Sequence, residues 1–152
     1  ADACWGFERA TGALSINARS ETAERTEMFR DAYRSGRCLV PADGFLEWRR
    51  EGRAKQPYLF RALDASLFVM AGLWNDGRYV VLTRDSDSSV EDIHDRMPVI
   101  LSGDGARQWL HEGELGEPPE LIRTAVSTRI NRIENDDPGC IEPRAQAAFD
   151  FD

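Results

Sequence analysis

Apolar positions along this chain change their spacing several times, and each change marks an element. Met28, Phe29, Ala32 and Tyr33 recur at helical spacing. Ser20, Thr22 or Thr26 can cap a helix there, and Gly36 is its natural stop near Ser35. Residues 38–40 read as a short buried strand that Pro41 and Gly44 end. Residues 45–48 are extended and apolar-rich, and Glu51-Gly52-Arg53 forms a turn. Strands follow at 58–63 and 67–74. Asn75-Asp76-Gly77 then predicts a hairpin that returns the chain antiparallel over 79–83. The polar stretch 85–92 predicts a short capped helix, and 97–101 a strand. Asp104 is placed to cap a helix with Ala106, Trp109 and Leu110 facing inward. After a loop at 117–119, strands at 126–130 and 140–142 close the sheet around a turn at 136–139. Residues 1–19 resist assignment. The sum is a β-rich α+β domain over 1–144, with several antiparallel strands and two or three helices. A tail at 145–152 is expected to fray or dock on a partner.

Composition limits the function classes. At 152 residues the chain suits one domain, and 41% hydrophobic residues exclude wholesale disorder. No apolar run reaches membrane-spanning length, so no membrane partner is expected, and no secretory leader opens the chain. The net charge is −8, but residues 1–63 carry 11 basic and 9 acidic residues while 64–152 carry 8 and 18. A nucleic-acid site can therefore exist only as a local basic face. Lys55 is the only lysine, which fits a halophilic source or a high-GC genome equally and specifies no function. Cys4, Cys38 and Cys140 form neither a disulfide framework nor a zinc pattern. With His94 and His111 the only histidines, no metal site and no cofactor are expected. Cys38 reads as a small buried hydrophobe, and cysteine usage points weakly to an intracellular protein.

Three constellations can carry chemistry. Glu47 lies in Gly44-Phe-Leu-Glu-Trp48, where alternation puts it on the face of Phe45. It is either an edge-strand carboxylate in water or a carboxyl whose burial raises its pKa toward neutrality. His94, in Ile93-His-Asp-Arg-Met-Pro98, is either a titrating group near a strand entry or a capping or core histidine. Asn17 and Arg19 share one face of an extended segment. They can hold a carbonyl or a phosphate, or simply lead into a helix.

Taken together the segments resemble one family. Ile16-Asn-Ala-Arg-Ser-Glu-Thr22, Met28-Phe-Arg-Asp-Ala32, the run Arg37–Trp48 and Lys55-Gln-Pro-Tyr58 occur in order. Ala71-Gly-Leu-Trp74, Ile93–Val99, Val126-Ser-Thr-Arg129 and Asn135-Asp-Asp-Pro138 follow. This pattern resembles the SRAP family, the SOS response-associated peptidases that shield abasic sites, from about Trp5 to Pro143. The resemblance implies an SRAP-like α+β fold of curved antiparallel sheets. It implies recognition of abasic sites in single-stranded DNA. There an N-terminal Cys condenses with the ring-opened deoxyribose: its amine forms a Schiff base and its thiol closes a thiazolidine. The implied catalytic set is Asn17, which orients the opened sugar, Glu47 as acid and base, and His94 as second proton carrier. The implied DNA contacts are Arg19 and Arg96 on phosphates, Trp48 beside the site or a base, and Trp5, Thr83 and Ser127. Peptidase or lyase activity and a cytoplasmic, nucleoid-associated location follow from the same resemblance.

The chain also departs from that pattern. Family members begin with Cys-Gly-Arg and a longer segment before Trp-Gly, which here is already at Trp5-Gly6. The Pro- and Trp-containing loop that follows is replaced by the shorter stretch 8–14. Ala1 offers an α-amine without a thiol, and Cys4 a thiol whose nitrogen is in a peptide bond. The expectation is either a piece of a longer product or a short variant that keeps the pocket and loses the crosslink. A short variant would bind abasic or single-stranded DNA, with Ala1 available for a transient Schiff base. A non-catalytic interaction module is the alternative. Gln146-Ala-Ala-Phe149-Asp-Phe151 loosely resembles sliding-clamp-binding peptides, and the acidic second half suits a basic partner.

Overall fold

The computed structural model describes residues 3–64 and 67–144. In chain order the elements are β1 (Cys4–Trp5), β2 (Phe7–Glu8), β3 (Leu14–Ser15), β4 (Asn17–Arg19), α1 (Ser20–Ala23) and α2 (Arg30–Ser35). Next come β5 (Arg37–Ala42), β6 (Phe45–Glu51), β7 (Ala54–Ala62), β8 (Phe68–Asn75) and β9 (Arg78–Asp85). The last are β10 (Arg96–Pro98), β11 (Ile100–Leu101), α3 (Gly105–Glu112) and β12 (Leu121–Ala125), followed by single 3-10 turns at Thr128–Asn131 and Pro138–Ile141. The fold is the β-rich α+β type that the residue pattern predicts. The predicted tail at 145–152 lies outside the described residues.

Three layers follow from alternation along β9. Val80 and Leu82 face a core built with Ala23, Phe29, Ala32 and Trp109 of the helical side. Val81 faces a second core with Phe45, Phe60 and Ala62 of the smaller sheet. A seven-stranded sheet, running β1-β9-β8-β11 with β4 and β10 on β9 and β5 on β8, therefore lies between the helices and a three-stranded sheet, β12-β7-β6. Its strands pair mostly antiparallel, but β1 and β4 run parallel to β9. The hairpin signal holds: Asp76 and Gly77 have φ of 46° and 74°, which a two-residue turn between β8 and β9 requires.

Several predicted boundaries move. The 20–35 helix divides into α1 and α2, because the Thr26 hydroxyl bonds the Thr22 carbonyl at 2.9 Å and the chain turns there. No side chain caps either piece, nor α3, although Asp104 holds the predicted N-cap position. On α3 Trp109 is buried and Leu110 is exposed, against the prediction that both face inward. β5 continues through Pro41, which pairs with Val69; β5 has a partner on one side only, so a residue lacking N–H is tolerated at its open edge. In the predicted 85–92 helix, Asp85 ends β9 and residues 88–92 form turns, since the Asp87 carboxylate takes both the backbone N–H and the hydroxyl of Ser89.

The 97–101 strand changes partner midway. β10 pairs with β9 and β11 with β8. Between them Val99 donates to Leu82 O at 2.8 Å and accepts from Ala71 N at 2.9 Å. The strand that closes the small sheet is β12, five residues before the predicted 126–130. Val126 bridges to Pro143 and donates to Pro57 O at 3.1 Å, and the Ser127 hydroxyl accepts the Arg129 N–H and turns the chain into a 3-10 coil. Residues 140–142 likewise overlap a 3-10 turn, which the Asp137 carboxylate caps through Gly139 N. Among the described residues no helix is long and apolar enough to cross a membrane.

Candidate functional site

The site grows from the junction of β4, β9 and β10. Asn17 and Arg19 pair in register with Val81 and Thr83, and Thr83 pairs on its other side with Pro98. Ala18 is buried between the two exposed polar residues, so Asn17 and Arg19 both point away from the helix-side core. β6 brings the acid. Gly44 makes its entry possible: a Cβ there would meet Phe60 O at 2.7 Å, so only glycine allows so close an approach. Phe45 then stacks on Phe60 with centroids 4.8 Å apart, and two residues on Glu47 pairs with Tyr58.

Asn17, Arg19, Glu47, Thr83, His94 and Arg96 line one cavity of about 300 Å³. Glu47 is half-buried, and burial raises its pKa above the ordinary carboxylate range. His94 and a hydrogen bond from the Trp48 backbone act against that rise, while Asp95 adds to it. The two proton-carrying groups predicted from sequence thus sense each other electrostatically. His94 Nδ1 lies 3.1 Å from Arg96 N, 3.0 Å from Arg96 O and 3.3 Å from an Asp95 carboxylate oxygen. Nδ1 accepts from the Arg96 N–H in one tautomer and donates to Arg96 O in the other.

The two arginines of the cavity differ. Arg19 is exposed and makes no hydrogen bond or ion pair among the described residues. The Arg96 guanidinium grips both oxygens of Glu21 at 2.7 and 2.9 Å, Asp85 at 2.5 Å and Thr83 O at 2.7 Å. Its Nε is buried without a partner. The Glu21 carboxyl is held below its ordinary range, chiefly by that bond to Arg96.

Two larger concavities also meet at Glu47. One, of about 550 Å³, is mainly apolar and includes Trp5, Asn17, Phe45, Trp48 and Tyr79. Trp5 is half exposed, stacks on Tyr79 with rings 5° from parallel, and donates to Ile16 O at 2.9 Å. The other, of about 890 Å³, is lined by Glu47, Trp48 and His94 together with Arg50, Arg53, Lys55 and Asn131. Here Trp48 Nε1 donates to Asn131 Oδ1 at 2.7 Å, and Asn131 Nδ2 donates to Lys55 O at 2.9 Å. Ser127 lines none of the three; its hydroxyl caps the coil that carries Asn131.

Asn131, Glu21 and the hairpin cations escape the sequence reading. The first two act across more than 70 positions of chain, which leaves no local signal. The density of charge in Arg49-Arg-Glu-Gly-Arg-Ala-Lys55 is the available clue to the third. Cys4 is exposed on β1, and its backbone N–H donates to Gly77 O at 2.8 Å. Cys38 is half-buried, and burial pushes its thiol up to about 11. The Ala1 amine lies outside the described residues.

Comparison with known proteins gives a consistent result. Residues 3–134 match the sequence model of a family described as SOS response associated peptidase (SRAP). The abasic site processing protein YoqW of Bacillus subtilis is 32% identical over 159 residues, covering 91% of this chain and 71% of that protein. The abasic site processing protein YedK of Escherichia coli is 30% identical, covering 84% and 67%. The abasic site processing protein HMCES of Xenopus tropicalis is 36% identical, and the match spans 82% of this chain and about half, 49%, of that longer protein. A crystal structure of a Bacteroides thetaiotaomicron protein superposes with a TM-score of 0.74 at 28% identity, covering 85% of this chain and 66% of that one.

Proposed function

The chain belongs to the SOS response associated peptidase (SRAP) family, and on that footing we propose that its Glu47 pocket receives an abasic site in single-stranded DNA. The observation that carries this reading is Glu47 itself: a half-buried acid with a raised pKa, at the meeting point of three concavities and beside Asn17 and His94. Relatives named for abasic site processing support it.

An abasic deoxyribose is a cyclic hemiacetal. Opening it needs a proton delivered to the ring oxygen and another removed from the C1′ hydroxyl. Glu47, whose protonated form burial favours, supplies the first, and His94 accepts the second. Asn17 offers a donor and an acceptor to the freed aldehyde and hydroxyl. Arg19, with no internal partner, takes a phosphate. Trp5 and Trp48 offer apolar walls to the neighbouring bases. A lesion in a single strand enters without the cost of breaking a duplex.

Attack on the aldehyde is a separate step. Cys4 cannot close a thiazolidine, because its nitrogen is an amide engaged with Gly77. An α-amine can still attack the aldehyde, losing water to give an imine, with Glu47 protonating the departing oxygen. The test incubates the chain with single-stranded oligonucleotides that carry or lack an abasic aldehyde, with and without borohydride. Tighter binding of the lesion strand is expected, and a covalent adduct only under borohydride. Equal affinity for intact and abasic strands, with no adduct, overturns the reading. An adduct stable without reductant overturns the assignment of imine rather than thiazolidine chemistry.

A further inference from the structure

We propose that the β6–β7 hairpin is a phosphodiester-binding site, in which Arg50, Arg53 and Lys55 grip the strand backbone beyond the lesion. The inference rests on the reading of the Glu47 pocket as a single-strand site, and deepens it by giving the strand a path out of the pocket.

The first observation is where unpaired charge collects. Seven of the nineteen cationic side chains make no hydrogen bond or ion pair among the described residues. Arg19, Arg50, Arg53, Lys55 and Arg61 are five of them, and each lines one of the three concavities that contain Glu47. In a chain with 27 acidic residues, carboxylates are plentiful. Most arginines elsewhere find a partner, such as Arg123 on Asp92 or Arg129 on Asp137. Arg96 apart, the cations around Glu47 do not.

The second observation is local to the hairpin. Arg49 pairs with Glu51 at 2.6 Å, which uses the only acid in the turn and leaves Arg50, Arg53 and Lys55 uncompensated. Arg50 and Lys55 are directly opposite each other in the ladder. Like charges in that position destabilise a sheet. An anion between them removes the repulsion, and nothing within the described protein does so.

The third observation selects the anion. The same concavity holds Trp48, fixed by its bond to Asn131, and Asn131 in turn holds the Lys55 carbonyl. Cations beside a braced aromatic wall suit a nucleic-acid single strand, whose phosphates and bases alternate, better than an acidic peptide. Continuity with Glu47 and His94 makes it the same strand that enters the small cavity.

The experiment measures fluorescence anisotropy with labelled single-stranded oligonucleotides, abasic and intact, over a salt series. The variant is Arg50→Gln/Arg53→Gln/Lys55→Gln, and the control is Arg34→Gln/Arg132→Gln, which removes unpaired arginines that line none of these concavities. All three hairpin side chains are exposed, so the variant is expected to fold with a Tm at or above that of the wild type. Its affinity is expected to fall at least tenfold at low salt, equally for both strands. Its log–log salt slope should flatten by about 0.7 for each phosphate no longer neutralised, or about 2 in all. Unchanged affinity and slope in the variant overturn the hairpin site and leave the lesion reading standing. A wild type that ignores the lesion, with a variant that still loses slope, supports the hairpin and overturns the lesion reading. Equal competition by poly-glutamate overturns the choice of phosphodiester. A wild type that binds no single strand overturns both.

Discussion

Two rims flank Glu47, and they treat positive charge in opposite ways. On the β9–β10 side, Arg96 is closed off: two carboxylates and a carbonyl occupy its guanidinium, and its side chain is only 16% exposed. On the β6–β7 side, Arg50, Arg53 and Lys55 are exposed with no hydrogen-bond or ion-pair partner among the described residues. The difference separates paired from unpaired cations on the two sides of one acid. Arg96 belongs to a motif whose resemblance suggests a phosphate contact. In this structure its fork ties α1 to β9 and fixes the main chain whose N–H bonds His94. It acts on His94 as a positioning residue, and a phosphate could reach it only by displacing Glu21. The hairpin cations have no such structural task, so their removal should cost the fold little.

Substitution at the meeting point of the rims should give the largest effect. Glu47→Gln keeps the shape and removes the proton. Borohydride trapping should slow by about 10²- to 10³-fold while strand affinity stays within about threefold. Parallel losses in both would mean that grip and chemistry are not divided as described. Next in size is Arg96→Met, which strands Glu21 and Asp85 beside each other and leaves Thr83 O without its donor. Urea unfolding should show a loss of about 2 kcal/mol, against less than about 0.5 kcal/mol for Arg53→Gln. Equal midpoints for the two variants would erase the contrast between the rims.

Glu21→Gln turns the closed rim into an open one. The folded pKa of Glu21 is depressed, so its contribution is present above the unfolded value near ~4.3 and is lost as pH falls through the folded one. The side chain is nearly half exposed, so the cost at pH 7 should be only about 0.5–1 kcal/mol, vanishing near pH 2. Freed Arg96 should tighten single-strand binding a few-fold, and unchanged binding would show that Glu21 does not mask it. The smallest effect has the opposite sign. Glu47 has a raised folded pKa, so its ionised form opposes folding. Glu47→Gln should gain a few tenths of a kcal/mol at pH 7–8, a gain absent below about pH 4. A net loss at neutral pH would show that the carboxylate is supported by contacts outweighing its burial.

The residue pattern made the hairpins legible because their signals are local: Asn75-Asp76-Gly77 and Glu51-Gly52-Arg53 each specify a turn within a few positions. It failed where distant partners decide. The two-residue β1 and three-residue β4 exist only through parallel pairing with β9, 74 and 64 positions later, and no alternation can show in so few residues. Val126 and Ile130 read as strand residues, while the hydrogen bond from the Arg129 N–H to the Ser127 hydroxyl decides otherwise. Asn17, Glu47 and His94 are candidates from residue type and local spacing, motif order implies their roles, and the fold brings them to one cavity. What no motif carries is the state of each cation. Whether Arg19 or Arg96 is free depends on Glu21 and Asp85, which only the folded chain brings near.

The partner change at Val99 has a kinetic consequence. Its N–H and the N–H of Ala71 close a two-bond link between β9 and β8, and Val99, Ala71 and Leu82 have no more than trace exposure. Opening either bond requires the central sheet to part. These two amides should therefore exchange with deuterium only as fast as the whole domain unfolds, and serve as its internal clock. Amides on the free edge of β6, a few residues from Glu47, need no such event. The molecule keeps time in its centre and leaves the rim beside Glu47 free to breathe.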